Sequence, residues 1–186
     1  MTADALLLAP GAGSDRDQST LVAIERAVAP LPTGRLDFPY RKEGRAFPDR
    51  APKLIECVRD EAESLVTRAG IAPDRLVLGG RSMGGRMCSM AVAEGLPAAG
   101  LVLICYPLHP PKKPEKLRVE HLTDIQVPCL FVSGSRDEFG GPDELEAAHA
   151  LVAGPVTAVW IEGGRHELKG ADEQVVTAVT DWLSKL

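Results

Sequence analysis

The sequence predicts an α/β protein, a three-layer sandwich in which a mainly parallel sheet of about six strands is flanked by helices. Two observations predict it. Short runs rich in Val, Leu and Ile recur along the chain, and longer amphipathic stretches separate them. That alternation is what a sheet buried on both faces by crossover helices requires. The expected strands are Ala5–Ala9, Arg35–Phe38, Arg75–Gly79, Gly100–Cys105, Pro128–Ser133 and Thr157–Ile161. Helices are expected over Gln18–Ala29, Asp49–Ala69, Ser82–Glu94, Pro142–Val152 and Asp172–Leu186. In the second of these, Leu54, Val58, Ala62, Leu65 and Val66 recur at helical spacing and share one face. Val175, Val179, Trp182 and Leu183 do the same in the last.

With 186 residues, the chain suits one substantial core, so residues 1–186 are expected to form a single domain. Hydrophobic residues at 45% and charged residues at 25% give a globular balance far from that of a disordered chain. The formal net charge of −5 argues against nucleic-acid and anionic-membrane partners, both of which need a basic face. No apolar run approaches the roughly 20 residues that span a bilayer. The opening MTADALLLAPGAG lacks the basic segment of a secretion signal and reads as a first buried strand, which points to a cytoplasmic protein. Cys57, Cys88, Cys105 and Cys129 are widely spaced, without a CxxC zinc pattern, and read as buried reduced thiols. No metal or organic cofactor is expected. One stretch is compositionally biased, YPLHPPKKPEKLR over Tyr106–Arg118; its four prolines forbid helix or central strand and make it a stiff loop leaving a strand end.

The strongest chemical signal is LVLGGRSMGGRMCSMAVAEG, where Gly80, Ser82 and Gly84 form G-x-S-x-G between a strand-like and a helix-like run. A serine at such a turn is held in strained backbone with its hydroxyl exposed above the sheet, and glycines on either side let strand and helix close together. The Met83 amide at the helix start can then face a developing oxyanion. Phosphate-binding readings of the same glycines fail. Gly79–Gly84 has P-loop spacing, but Gly85 and Arg86 stand where Lys and Ser or Thr are needed, and Arg16 occupies the third glycine position of a dinucleotide fingerprint begun by Gly11 and Gly13.

A nucleophilic serine needs a base and a group that orients it, which in this kind of sheet follow in the order acid, then histidine, each on a loop after a strand. Asp137 in CLFVSGSRDEFG and His166 in VTAVWIEGGRHELKG occupy those places. His166 would take the serine proton, and Asp137 would hold its tautomer and stabilise the imidazolium. His109 and His121 precede the acid, and His149 falls inside an expected helix. Among rival acids, Glu138 is the neighbour of Asp137, and Asp143 reads as a first-turn helix residue after Pro142. The glycine-rich turn APGAGSDRD would supply a second oxyanion donor, the Ala12 amide. Tyr40, Arg41, Leu108 and His109 are expected to border the substrate.

With these residues in place, the chain resembles the α/β-hydrolase superfamily, and within it the small dienelactone-hydrolase-like group that includes testis-expressed protein 30. LAPGAGSD, LDFPYRKEGR, GGRSMGGR, YPLHPPKKPEKLR, LFVSGSRDEFG and GGRHELK carry the resemblance over nearly the whole length. It implies a minimal α/β-hydrolase fold without the first strands of the full superfamily sheet and without a cap domain. Pro10 departs from the pattern, standing where many relatives have the histidine of an HG turn. The implied activity is that of a serine hydrolase cleaving a small carboxylic ester or thioester through an acyl-enzyme on Ser82. The alternative is a non-catalytic binding or scaffold protein that keeps the turn for structural reasons.

Overall fold

Because successive side chains of a strand point to opposite faces, the apolar runs of this chain feed two separate cores. In the computed structural model, which describes residues 3–186, strands β1 (Ala5–Ala9), β2 (Thr33–Arg35), β3 (Leu76–Arg81), β4 (Gly100–Ile104), β5 (Cys129–Gly134) and β6 (Val156–Ile161) form one sheet. Helices α1 (Ser19–Ala27), α2 (Pro39–Lys42), α3 (Ala51–Ala69), α4 (Met83–Ala93), α5 (Pro142–His149) and α6 (Asp172–Leu183) connect and cover it. Leu6 and Leu8 of β1 and Val102 and Ile104 of β4 pack beneath α1 and α6, against Leu21, Ile24, Val175 and Val179. Leu7 of β1 and Leu101 and Leu103 of β4 face the other way and meet Leu54, Val58, Met87 and Leu145 of α3, α4 and α5. The result is the expected three-layer sandwich, with no separate cap domain among the described residues. No helix among them is long and apolar enough to cross a membrane.

All strand pairs are parallel, in the order β2-β1-β3-β4-β5-β6. The chain leaves β1 toward β2 and then crosses back to place β3 on the other side of β1. Between β1 and β3, therefore, the connections diverge and leave a crevice at the carboxyl ends of the strands, the usual position of a ligand site in an open parallel sheet.

Five strands lie within a residue or two of their expected spans. The second lies upstream, at Thr33–Arg35 rather than Arg35–Phe38, because Thr33, Gly34 and Arg35 pair with Leu6, Leu7 and Leu8. Leu36 and Phe38 are buried, but in the core beneath α3, and Pro39, without an N–H, opens the unforeseen short helix α2. The buried apolar pair signalled core, and the ladder runs through the less apolar residues before it.

One half-buried histidine couples this core to pH. His149, at the end of α5, lies against Phe131 with ring centroids 4.2 Å apart, and its Nε2 is buried without a hydrogen-bond partner. Burial pushes its imidazole from 6.5 down to about 4. Between these two values the unfolded chain takes up a proton that the folded chain refuses, so stability should fall as pH drops through that window. The urea midpoint is expected to be lower at about pH 5 than at about pH 7.5, and His149→Phe, which keeps a ring and removes the unpartnered nitrogen, should narrow the gap. An unchanged gap in the variant would show that His149 does not carry the effect.

Candidate active site

Ser82 stands between β3 and α4 with φ 50° and ψ −119°. A non-glycine residue rarely adopts this conformation, and such strain concentrates at functional turns. Its neighbours explain why the turn can exist. A Cβ at Gly80 would collide with the Ala9 carbonyl oxygen of β1, and one at Gly84 would collide with the same carbonyl from the helix side. Side chains at either position would force strand and helix apart. The Ser82 amide donates to the Ile104 carbonyl at 2.8 Å, tying the turn to β4.

Asp137 and His166 come from the loops after β5 and β6, neighbouring strands of the sheet. The two loops are tied by the Arg136 amide, which donates to the Gly164 carbonyl at 2.8 Å. Ser82 Oγ is 2.8 Å from His166 Nε2, and His166 Nδ1 is 2.9 Å from each Asp137 carboxylate oxygen. The Asp137 side chain is 1% exposed and that of His166 7%. Phe139 donates its amide to Asp137 Oδ1 at 2.8 Å and stacks its ring on His166 with centroids 4.0 Å apart. Arg81, buried at the end of β3, donates to the His166 carbonyl at 2.5 Å and pairs with Glu167 at 3.6 Å, so the histidine loop is held from below as well. Cys105 lies close enough to Asp137 and His166 for the three to ligate a cation. Yet Nδ1 and the carboxylate are bonded to each other, and burial pushes the Cys105 thiol up to about 12, so the group reads as an acid and base aligned on a hydroxyl.

The hydroxyl opens into a cleft of about 590 Å³ whose walls include Ala12, Met83, Pro107 and Phe139. Neither the Ala12 nor the Met83 amide donates to a protein acceptor among the described residues. The residues considered as rival acids do not meet the His166 ring. Glu138 accepts from the His166 amide at 3.5 Å, and Asp143 lies in the first turn of α5.

The four residues expected to border the substrate do not line this cleft. Tyr40 is fully buried, stacked near Phe38, and its hydroxyl donates to the Ala12 carbonyl at 2.8 Å; it supports the glycine-rich turn from behind. Arg41 reaches Asp15, 3.9 Å away. Leu108 is 1% exposed and belongs to the core. His109 is buried between the Pro110 carbonyl, 2.9 Å from Nδ1, and Glu144, 3.4 Å from Nε2. Tyr40, Leu108 and His109 turn inward because large apolar and aromatic side chains gain more from burial than from lining a water-filled cleft.

Sequence reasoning missed the polar wall of the cleft, formed by Arg81, Arg86, Arg118 and Gln18. Arg86 had a usable signal. It lies four residues after Ser82, and long side chains on a helix lean back toward its N-terminus, which returns Arg86 to the level of the serine. Arg118 had none, because it arrives from the far end of the proline-rich loop, pinned there by its amide on the Leu108 carbonyl at 2.8 Å and by the Tyr106 hydroxyl on its own carbonyl at 2.6 Å.

Solved structures share this architecture. A dienelactone hydrolase from Anabaena variabilis superposes with a TM-score of 0.78 at 18% identity, covering 99% of this chain and 87% of that one. Est1E from Butyrivibrio proteoclasticus gives 0.77 at 13% identity, over 99% and 88% of the two chains. An alpha-beta serine hydrolase homologue from Coxiella burnetii gives 0.72 at 17% identity, over 95% and 86%. At such identities the likeness is one of fold. The alpha/beta hydrolase domain family, however, matches residues 2–184 directly, and the chain belongs to it.

Proposed function

We propose that this chain is a serine hydrolase that cleaves a small carboxylic ester or thioester through an acyl-enzyme on Ser82. The observation that carries the reading is the unbroken hydrogen-bond chain from Ser82 Oγ through His166 to Asp137, open at its serine end to the cleft. Ser82 Oγ attacks the substrate carbonyl carbon and passes its proton to His166 Nε2. The tetrahedral oxyanion is met by the Ala12 and Met83 amides. It collapses with loss of the alcohol or thiol, which leaves with the proton from Nε2. A water then attacks the acyl carbon, His166 takes its proton, and the second collapse releases the acid and returns that proton to Ser82. Asp137 accepts from Nδ1–H throughout and stabilises the imidazolium. No step calls for a metal or an organic cofactor. Four free, buried cysteines suit a reducing compartment, so a cytoplasmic location belongs to this reading. The narrower kinship with testis-expressed protein 30 rests on the sequence segments alone.

The expected substrates have short acyl chains. Arginines line the cleft, and a long alkyl chain laid across them would remove water from guanidinium groups without replacing its hydrogen bonds. In a screen of aryl esters and thioesters from acetyl to palmitoyl, with Ser82→Ala as the blank, acetyl to butyryl substrates should exceed the longest by about tenfold or more in kcat/KM. Efficient turnover of long-chain triglyceride with little activity on acetyl esters would contradict the reading. No turnover of any ester or thioester would favour a binding or scaffold protein.

A further inference from the structure

We propose that Arg86 and Arg118 form an anion-binding subsite in the Ser82 cleft, so that the ester or thioester processed there carries a carboxylate or phosphate group. The proposal deepens the hydrolase reading and, for its substrate, rests on it. Its basis is a charge imbalance confined to one place. Among the described residues, every other arginine that is buried or half-buried pairs with a carboxylate: Arg35 with Asp17 and Glu25, Arg41 with Asp15, Arg59 with Glu94, Arg75 with Asp4, Arg81 with Glu167. Arg86 and Arg118 are half-buried and have no carboxylate within ion-pair distance among the described residues. Both line the same cleft as the serine.

Their hydrogen bonding is as incomplete as their charge balance. Arg86 Nε is buried without a hydrogen-bond partner. Arg118 Nη1 donates to the Pro107 carbonyl at 3.1 Å, a neutral acceptor that leaves the charge uncompensated. The two cations also act on their surroundings. Burial and then the charge of Arg86 lower the pKa of Arg118, and burial with the same charge pushes His121 from 6.5 down to about 4. The one carboxylate on the cleft wall, Glu167, is 81% exposed and engaged with Arg81. In a chain whose formal net charge is −5, this cleft is a local cationic field.

Half-buried guanidinium groups pay for their desolvation only when an anion or hydrogen-bond acceptors replace the water, and their planar donor forks match carboxylate and phosphate oxygens. The first turn of α4 sets Arg86 one helical turn from Ser82, so an anion held there lies within a small molecule's length of the reacting carbonyl. The arrangement would orient a charged ester and steer it into the cleft.

The test compares esters of matched shape and opposite charge state. On the alcohol side, 4-acetoxybenzoate is set against its methyl ester and 4-acetoxyphenyl phosphate against its dimethyl ester; on the acyl side, mono-4-methylumbelliferyl adipate is set against its methyl ester. At least one anionic member should exceed its neutral twin in kcat/KM by about tenfold, and the pair that does so identifies carboxylate or phosphate. That ratio should collapse in Arg118→Gln and invert in Arg118→Glu in favour of a cationic ester, a gain that misfolding cannot produce. Equal or greater turnover of every neutral twin would overturn the proposal while leaving the hydrolase reading standing. If no ester is turned over, titration of the wild-type protein and Arg118→Gln with inorganic phosphate and with glutarate, followed by NMR, separates the two: saturable binding lost in the variant keeps the subsite and removes the hydrolase, and absence of binding removes the subsite too.

Discussion

Ser82→Ala is expected to leave a folded protein whose ester hydrolysis has fallen by about 10⁴-fold or more, since members of a cooperating triad act as a unit. The substitution keeps the Cβ and the strained backbone at φ 50° and removes the hydroxyl, the atom 2.8 Å from His166 Nε2. Folding stability should change by less than about 1 kcal/mol, because no buried partner other than His166 loses a bond and His166 remains held by Asp137. Stability is as free to rise as to fall, for functional turns often sacrifice it. The pair of measurements is kcat/KM on the best ester from the screen and the urea midpoint. Activity retained in a folded Ser82→Ala protein would assign the chemistry to another residue.

Asp137→Asn should come next in size, with a loss of about 10³- to 10⁴-fold and little change in fold. The carboxylate accepts from the Phe139 amide through Oδ1 and faces His166 Nδ1 through both oxygens, all at 2.8 or 2.9 Å. An asparagine fills the same space and can still accept from Phe139. What it changes is the other side: its amide NH₂ toward Nδ1 favours the tautomer that carries the proton on Nε2, and that nitrogen can no longer accept from Ser82. Rates should therefore fall through kcat, with KM nearly unaltered, because the substrate does not touch a side chain that is 1% exposed. An Asp137→Asn enzyme within tenfold of wild type would mean that His166 is oriented by something else.

The parts of this molecule that could be read from sequence are those where one physical demand dominates. Strands buried on both faces must be nearly continuous in apolar residues, so β1, β3, β4 and β5 stand where the Val, Leu and Ile runs stand. Ser82, Asp137 and His166 were legible because the order of strands and the G-x-S-x-G turn place each at a strand's carboxyl end; their mutual distances were not, since these depend on the pairing of strands far apart in sequence. Edge strand β2 was displaced because its ladder residues, Thr33 to Arg35, are less apolar than the core residues that follow. The cleft wall was misread for a related reason. Loop residues near a strand end were expected to face the substrate, but Tyr40 and Leu108 had a stronger demand to satisfy in the core, which left the cleft to Arg86 and Arg118. Helical spacing sets Arg86 at the level of Ser82, but nothing in the sequence shows that Arg118, arriving through a proline-stiffened loop, meets it there.

A fluorophosphonate probe tests directly whether Ser82 is a working nucleophile. Wild-type protein incubated with the probe at about pH 6 to 9 should gain the mass of one phosphonyl group, with digestion locating it on Ser82, and His166→Ala should slow the labelling strongly. Ser82→Ala should take up none. An unlabelled wild-type protein across that range, or an adduct on any residue other than Ser82, would contradict the account.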